Sequence, residues 1–189
     1  MSEKIYAIAS DIHGSAVWCE KFLSAAESAG AEQLLLLGDL LYHGPRNDLP
    51  EGYDTKKVTA LLSSVQNRVI CVRGNCDSEV DQMVLPFPVL ADYALFSVEN
   101  ADKNFRLFLT HGHLFNADNP PQLNAGDVLL NGHFHVPCHK QISGGAYYLN
   151  CGSVSLPKDG TPHSFMLLKN GKFTWIDLST AKPFDEFSL

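Results

Sequence analysis

The chain has 189 residues, of which 45% are hydrophobic and 19% are charged, and its formal net charge is −7. This length and composition are those of an ordinary globular protein, so one domain over residues 1–189 is expected. The negative net charge argues against a protein that binds nucleic acid regardless of sequence, which would present a basic face, and no stable nucleic-acid complex is expected. The negative net charge does not exclude a small anionic substrate, since bound divalent cations can reverse the charge locally.

The cysteines indicate a reducing compartment. Their number is odd and none belongs to a C-x-x-C pair, which is typical of free thiols rather than of a disulfide framework. No secretory signal or membrane span is predicted, because Asp11 interrupts the first apolar run and the longest aliphatic run covers only 34–37. A cytoplasmic protein without a membrane partner is therefore expected. The cysteines are Cys19, Cys71, Cys76, Cys138 and Cys151.

Five short apolar runs are each followed by a turn residue and then by a polar side chain. Such runs predict buried strands. Between the first runs, an apolar face with Trp18 and Phe22 predicts a helix that ends near Gly30, and a second helix is predicted after Asp54 and Thr55. Alternating strands and helices indicate right-handed parallel connections. The runs with their polar ends are IYAIASDIHG, QLLLLGDL, RVICVRGNCD, FRLFLTHGH and DVLLNGHFH.

The second half of the chain is predicted to consist of strands joined by short turns. Ser143-Gly144-Gly145 and Asn170-Gly171 are hairpin signals. Both halves are accommodated by an α/β fold in which two mixed sheets pack face to face and are flanked by helices, a four-layer α/β/β/α sandwich. These strands are expected near 93–98, 105–110, 127–131, 138–142, 146–150, 164–169 and 173–178.

Side chains able to bind metal follow the predicted strands, at the edge where ligands gather in an open α/β sheet. Five of the eight histidines lie at these strand ends. In Gly132-His133-Phe134-His135, alternate residues of an extended chain point the same way, so the two imidazoles should converge and Phe134 should face away into packing. The whole group consists of Asp11, His13, Asp39, Asn75, His111, His113, His133 and His135.

The chemistry of these donors indicates a metal centre. Imidazole and carboxylate ligands without a thiolate suit Mn, Fe, Zn, Ni or Co. Seven donors from this group of eight are too many for one tetrahedral zinc ion. They suit two ions held about 3.5–4 Å apart and bridged by one carboxylate.

These motifs, in their order along the chain, resemble those of the calcineurin-like metallophosphoesterases. The match consists of Asp11-Ile12-His13, Gly38-Asp39, Gly74-Asn75-x-Asp77, His111 and Gly132-His133-x-His135. Further stretches are similar to the YfcE-type bacterial phosphodiesterases, namely SDIHGS, YHGPRN, LPEGY, VRGNCDSEVDQM, LTHGHLF and GSVSLPK. The resemblance covers essentially the whole chain. It implies the metallophosphoesterase fold and metal-dependent hydrolysis of a small phosphodiester.

The resemblance also implies a ligand set for each of two divalent ions. Manganese is the expected metal, with Zn, Fe, Ni and Co as alternatives. Water held between two cations ionises near neutral pH, so a metal-bridging hydroxide is the expected nucleophile. His113 is expected to orient a ligand or to touch the phosphate, and Asp77 to support the loop of Asn75. The implied ligands are Asp11, His13, Asp39 and His135 for the first ion, and Asp39, Asn75, His111 and His133 for the second, with Asp39 as the bridge.

Cys76 lies where most members of the wider family have a histidine that is thought to protonate the leaving oxygen. A metal thiolate is not expected, because Asn75 is the implied ligand and its neighbour should point elsewhere. A nucleophilic thiol would be redundant beside the hydroxide. A thiol is also a weak acid, with an ordinary pKa of about 8.5. We interpret Cys76 as a catalytic position without a strong general acid, which favours substrates with good leaving groups.

Candidate substrate contacts lie in the loop after Asp39. Arg46 and Asn47 are candidates, because an arginine binds phosphate bidentately; a solvated loop charge is the alternative. The alternatives to a phosphodiesterase are a phosphomonoesterase of the same fold and a non-catalytic interaction scaffold that resembles the retromer subunit. The apolar stretch 83–90 is a candidate interface between copies of the chain.

Overall fold

Two β-sheets form the centre of the structure, a computed structural model in which residues 4–99 and 104–189 are described. The strands are β1 (Ile5–Ala9), β2 (Gln33–Leu36), β3 (Val69–Cys71), β4 (Tyr93–Glu99), β5 (Asn104–Thr110), β6 (Val128–Asn131), β7 (Cys138–Gln141), β8 (Tyr147–Asn150), β9 (Ser164–Lys169), β10 (Lys172–Asp177) and β11 (Lys182–Ser188). The helices are α1 (Ala16–Ser28), α2 (Thr55–Ser64) and α3 (Glu79–Val84). The strand orders are β11-β10-β9-β1-β2-β3 in the first sheet and β4-β5-β6-β8-β7 in the second.

The first sheet begins with the parallel unit expected from the sequence. β1 pairs with β2 and β2 with β3, all parallel, and α1 and α2 make the connections. Ser15 caps α1 by accepting a hydrogen bond from the Trp18 N–H, and Asp54 caps α2. Gly30, with φ of 73°, ends α1 by donating its N–H to the Glu27 carbonyl. The later strands β9, β10 and β11 extend this sheet with antiparallel pairs.

The core lies in two main layers, one on each face of the first sheet. Leu34 and Leu36 face the helices, whereas Leu35 faces the second sheet, because side chains of a strand alternate between its faces. The layer between the sheets also contains Trp175 and Leu107. Both sheets contain parallel and antiparallel pairs, so the expected two mixed sheets are confirmed.

The outer face of the second sheet is covered by a loop segment rather than by a helix. Phe108, Leu129 and Tyr148 on this face pack against side chains that include Phe115 and Leu123, from the connection between β5 and β6. That connection contains the run NPP at 119–121, and proline removes the N–H that a helix interior needs.

Other local features also differ from the sequence-based expectations. The edge strand β11 and the short helix α3 were not predicted. The apolar stretch 83–90 is only partly free to form an interface, because Leu85, Phe87 and Val89 pack into the protein's own core while Met83 is 83% exposed. All five cysteines are free thiols. Among the described residues, no helix combines the length and apolarity needed to cross a membrane.

Candidate active site

Seven side chains meet where the carboxyl ends of β1, β2, β3, β5 and β6 come together. Three of them, Asp11, His13 and His135, form what we call the inner group, and all three are buried. The His135 Nε2 atom lies 3.0 Å from the Asp11 Oδ1 atom and 3.4 Å from the His13 Nε2 atom. These donor atoms are close enough together to share one ion.

Asn75, His111 and His133 form a second set, which we call the outer group. The His111 Nε2 atom lies 3.2 Å from the Asn75 Oδ1 atom and 3.2 Å from the His133 Nδ1 atom. His111 is buried, but His133 is half-buried and Asn75 is exposed. The outer group therefore faces the solvent side of the site.

Asp39 lies between the two groups. Its Oδ2 atom is 3.3 Å from the His111 Nε2 atom and 3.7 Å from the His13 Nε2 atom. Its Oδ1 atom accepts a hydrogen bond from the Cys76 N–H at 2.8 Å. One carboxylate oxygen is thus fixed by the protein while the other faces both groups.

Backbone carbonyls orient three of the imidazoles. The Nδ1–H groups of His13, His111 and His135 donate to the carbonyls of Tyr42, Leu37 and Leu156, at 2.7, 2.7 and 2.5 Å respectively. A carbonyl only accepts, so each Nδ1 carries a proton, and in the neutral imidazole each Nε2 presents a lone pair to the site. This arrangement is typical of metal-binding histidines.

The turns that carry these side chains are held in an unusual backbone conformation. Of the eight non-glycine residues with positive φ in the described chain, five belong to the seven site residues. Left-handed backbone costs about 1–2 kcal/mol per residue, and such strain concentrates at functional sites. The five are Asp11, His13, Asp39, His133 and His135.

The conformation of Gly132-His133-Phe134-His135 differs from the expected extended alternation. His133 and His135 have φ of 64° and 62°, so the two imidazoles converge through left-handed turns and not through a strand. The expectation for Phe134 was wrong, since its side chain is 44% exposed beside the His133 ring. Gly132 is required here because an added Cβ would collide with Ser10 and Asp11.

Charge and burial make the site fit a cation. Burial alone would raise the pKa of Asp11, but the surrounding His111, His135 and His13 imidazoles hold it well below its ordinary value. The Asp11 Oδ1 atom is buried without a hydrogen-bond partner, and an unpaired buried carboxylate oxygen is costly. Burial lowers the pKa of His111, yet Asp11 and Asp39 raise it to about 9. An ionised carboxylate, an orphaned oxygen and several Nε2 lone pairs fit divalent metal ions.

The two candidate catalytic residues occupy different positions. The Cys76 sulfur does not point elsewhere, as the sequence suggested; it lies with the His13 and Asp39 donor atoms in a cluster whose atoms are within 4.8 Å of one another. Its backbone N–H donates to the Asp39 Oδ1 atom, so the side chain also lies on the Asp39 side of the loop. Burial and then Asp39 raise the pKa of this thiol. His113 instead lies beside the ring of His111, with centroids 5.5 Å apart, and does not line the cleft.

A cleft of about 310 Å³ opens over the donors. Arg46 and Asn47 both line it, although the Asn47 side-chain amide donates to the His43 carbonyl at 2.7 Å and so also holds its own loop. Lys158 lines the same cleft and was not identified from the sequence. Its stretch, GSVSLPK, had entered only through the family resemblance.

Three further side chains position the donors by binding the backbone of the loops that carry them. Asp77 accepts hydrogen bonds from the N–H groups of Asp39, Leu40 and Gly74, joining two of the site loops, and burial raises its pKa to about 6. The hydroxyls of Ser153 and Ser155 both donate to the Asp11 carbonyl, at 3.0 and 3.1 Å. The sequence did not assign these serines a role, because they lie more than a hundred residues from Asp11 and their stretch GSVSLPK entered only through the family resemblance.

Comparison with known proteins agrees with this geometry. The model of the calcineurin-like phosphoesterase superfamily domain matches residues 5–172. The chain belongs to this superfamily. It is also 50% identical over 171 residues to phosphodiesterase YfcE of Escherichia coli strain K12, a match that covers 90% of each protein. Because the match covers 90% of both proteins, it confirms the resemblance that was inferred from the motifs.

Solved structures share the fold of this chain. The structure of YfcE, a phosphoesterase from E. coli, superposes with a TM-score of 0.92 at 46% identity, covering 97% of this chain and 98% of that one. A double mutant of Vps29 from Entamoeba histolytica superposes with a TM-score of 0.61 at 19% identity, covering 98% and 99%. The second likeness concerns the fold alone.

Proposed function

We propose that the chain is a phosphodiesterase that uses two divalent metal ions, with manganese as the preferred metal. The observation that carries the proposal is the buried, unpaired Asp11 Oδ1 atom, which faces imidazole nitrogens whose protons are on the opposite side of each ring. Such a set of lone pairs is costly to bury without a cation. The 50% identity to a curated phosphodiesterase supports the substrate class.

The proposed ligands divide into the two groups described above. Asp11, His13 and His135 would hold one ion and Asn75, His111 and His133 the other, with Asp39 between them. Two such ions, when bound, would activate a water molecule near neutral pH and stabilise the negative charge of a phosphodiester. Asp77, Ser153 and Ser155 keep the ligands in place, and the carbonyls of Tyr42, Leu37 and Leu156 fix the imidazole orientation.

The side chains around the cleft determine which esters are cleaved. Cys76 lies beside the donors, but the raised pKa of its thiol makes it a poor proton donor to a leaving oxygen. Esters whose leaving group is already a stable anion are therefore favoured over phosphomonoesters of ordinary alcohols. Arg46 and Asn47 are proposed to contact the substrate, and His113 to support His111 from outside the cleft.

A non-catalytic scaffold is the weaker proposal. Every proposed ligand position carries a competent donor, and the cleft above the donors is open. The five free cysteines support a reducing compartment, and we propose the cytoplasm.

Metal content and hydrolysis of bis(4-nitrophenyl) phosphate test the proposal together. The protein reconstituted with Mn should bind two ions per chain and hydrolyse this diester, and a chelator should abolish the activity reversibly. Asp39→Asn should lose more than about a hundredfold in rate, because loss of groups that only orient ligands already costs about ten- to a hundredfold.

The matched control is Asp118→Asn, which removes an exposed carboxylate from the segment over the second sheet. It should keep both its metal content and its rate. Near-native turnover with full metal content in Asp39→Asn would end the two-metal proposal.

A further inference from the structure

Two cationic side chains lie on the wall of the cleft and approach it from different loops. Arg46 belongs to the loop after β2, which is tied to His13 through the Tyr42 carbonyl. Lys158 belongs to the loop before β9, where its N–H donates to the His135 carbonyl at 3.2 Å and the Leu156 carbonyl accepts from His135. The backbone of each loop is therefore tied to a histidine of the inner group.

Neither cation has a carboxylate partner among residues 4–99 and 104–189. The other three arginines are ion-paired, Arg68 with Glu27, Arg73 with Asp92 and Arg106 with Asp127. Asp48 and Asp159 are close to Arg46 and Lys158 in sequence, but neither lines the cleft. In a chain with net charge −7, two unpaired cations beside one site indicate an anionic ligand.

The scissile phosphodiester does not account for these cations. In the proposed function the two metal ions, when bound, would already neutralise the single negative charge of a scissile phosphodiester. Two divalent ions carry a charge of about +4, and Asp11, Asp39, Asp77 and the hydroxide together carry about −4. Arg46 and Lys158 then leave a surplus of about +2, whereas a simple phosphodiester carries a single negative charge.

We propose that the natural substrate is a phosphodiester with a second phosphate group, and that Lys158 is a specificity-determining residue that binds this group. The inference rests on the proposed phosphodiesterase function. Arg46 shares the task from the opposite loop, with the bidentate geometry that suits phosphate. Lys158 supplies a point charge on a flexible stem.

A matched pair of substrates tests this inference. The first is the 4-nitrophenyl ester of thymidine 5′-phosphate, and the second is the same ester with an additional 3′-phosphate. Both esters release the same 4-nitrophenolate, so the leaving group and any proton transfer from Cys76 affect both rates equally. The wild-type Mn enzyme should show a higher kcat/KM for the doubly phosphorylated ester, and the preference should shrink as ionic strength rises.

Lys158→Ala should lower kcat/KM for the doubly phosphorylated ester about tenfold more than for the singly phosphorylated one, as expected for loss of a charged hydrogen bond. Lys158→Arg should restore most of the preference. The matched control is Lys182→Ala, which removes an exposed lysine on β11 and should leave the ratio of the two substrates unchanged.

Binding of thymidine 3′,5′-bisphosphate provides a readout that is independent of turnover. Calorimetry should show that Lys158→Ala weakens this ligand more than it weakens thymidine 5′-monophosphate. An equal effect of Lys158→Ala on both substrates and both ligands would overturn the inference while leaving the proposed function intact. Absence of hydrolysis of either ester by the Mn enzyme would instead overturn the proposed function.

Discussion

The inner and outer groups of the site are built in different ways. Asp11, His13 and His135 are 0%, 1% and 3% exposed, and both inner imidazoles are fixed by backbone carbonyls. In the outer group only His111 has such an anchor. Asn75 is exposed, and its side chain contacts Cys76 and His111, which belong to the site itself.

The difference concerns how much order each group has before an ion binds. A donor already locked in place loses little conformational entropy on binding, whereas an exposed side chain must be immobilised. The inner group should therefore bind its ion more tightly than the outer group. Mutations in the two groups should differ most in whether added metal compensates for them.

Histidine-to-alanine changes give the largest expected effect. His135→Ala should remove the inner ion and His133→Ala the outer one, and each should lose well over about tenfold in rate, as damage to a ligand shell does. Because the outer group is more exposed and has fewer backbone anchors, excess Mn should restore more activity to His133→Ala than to His135→Ala. Ions per chain and kcat across an Mn titration measure both effects.

His139→Ala is the matched control, since this exposed imidazole pairs with Asp185 away from the cleft. It should retain both ions and full activity. Full activity with two ions in either His133→Ala or His135→Ala would show that the proposed role of that histidine is wrong.

The pH dependence of stability tests the charge of His111, the buried residue of the outer group. The pKa of His111 is raised to about 9 by Asp11 and Asp39 against the effect of burial, and the pKa of His13 is raised in the same direction. An elevated folded-state pKa stabilises the chelated protein fully below the ordinary histidine value of about 6.5, and this contribution is lost as pH rises toward 9. The Tm of chelated protein should therefore fall across this range.

Metal loading should reverse that trend, because an imidazole must lose its proton to bind an ion. The Tm difference between loaded and chelated protein should widen as pH rises from about 6.5 to about 9. His111→Gln should flatten the pH dependence of the chelated protein, and comparison with wild type removes contributions that both proteins share. If the Tm of the chelated wild type fell no more with rising pH than the Tm of His111→Gln, the proposed protonation of His111 would be contradicted.

Cys76 should give the smallest effect. Cys76→Ser removes the thiol but keeps a small polar side chain, so the rate on bis-aryl diesters should fall only modestly. Cys76→His adds a general acid with a pKa near the working pH and should help alkyl esters more than aryl esters. The ratio of kcat/KM for alkyl and aryl substrates measures this shift, and loss of all activity in the serine variant with metals intact would show that the thiol takes part in the chemistry.

The sequence by itself determined the strands that end in polar side chains and therefore the location of the site. Alternation and apolar runs mark strands locally, and parallel strands necessarily bring their carboxyl ends to one edge. This is why Asp11, Asp39, Asn75 and His111 could be grouped before their distances were known. The motif order then identified the family, which the family model over residues 5–172 and the match to a relative over 90% of the chain confirmed.

Only the tertiary structure decided how the site is completed. The conformation of His133 and His135, and with it the exposure of Phe134, depends on left-handed turns packed against Asp11, which no local pattern signals. The approach of Lys158 to the cleft depends on contacts of its loop with His135, 23 residues away in the chain. Such placements arise from long-range packing, whereas strand ends can be predicted from the local sequence. The physical reason is that local propensity acts over a few residues, while the walls of a cleft are formed by residues that are distant in the chain.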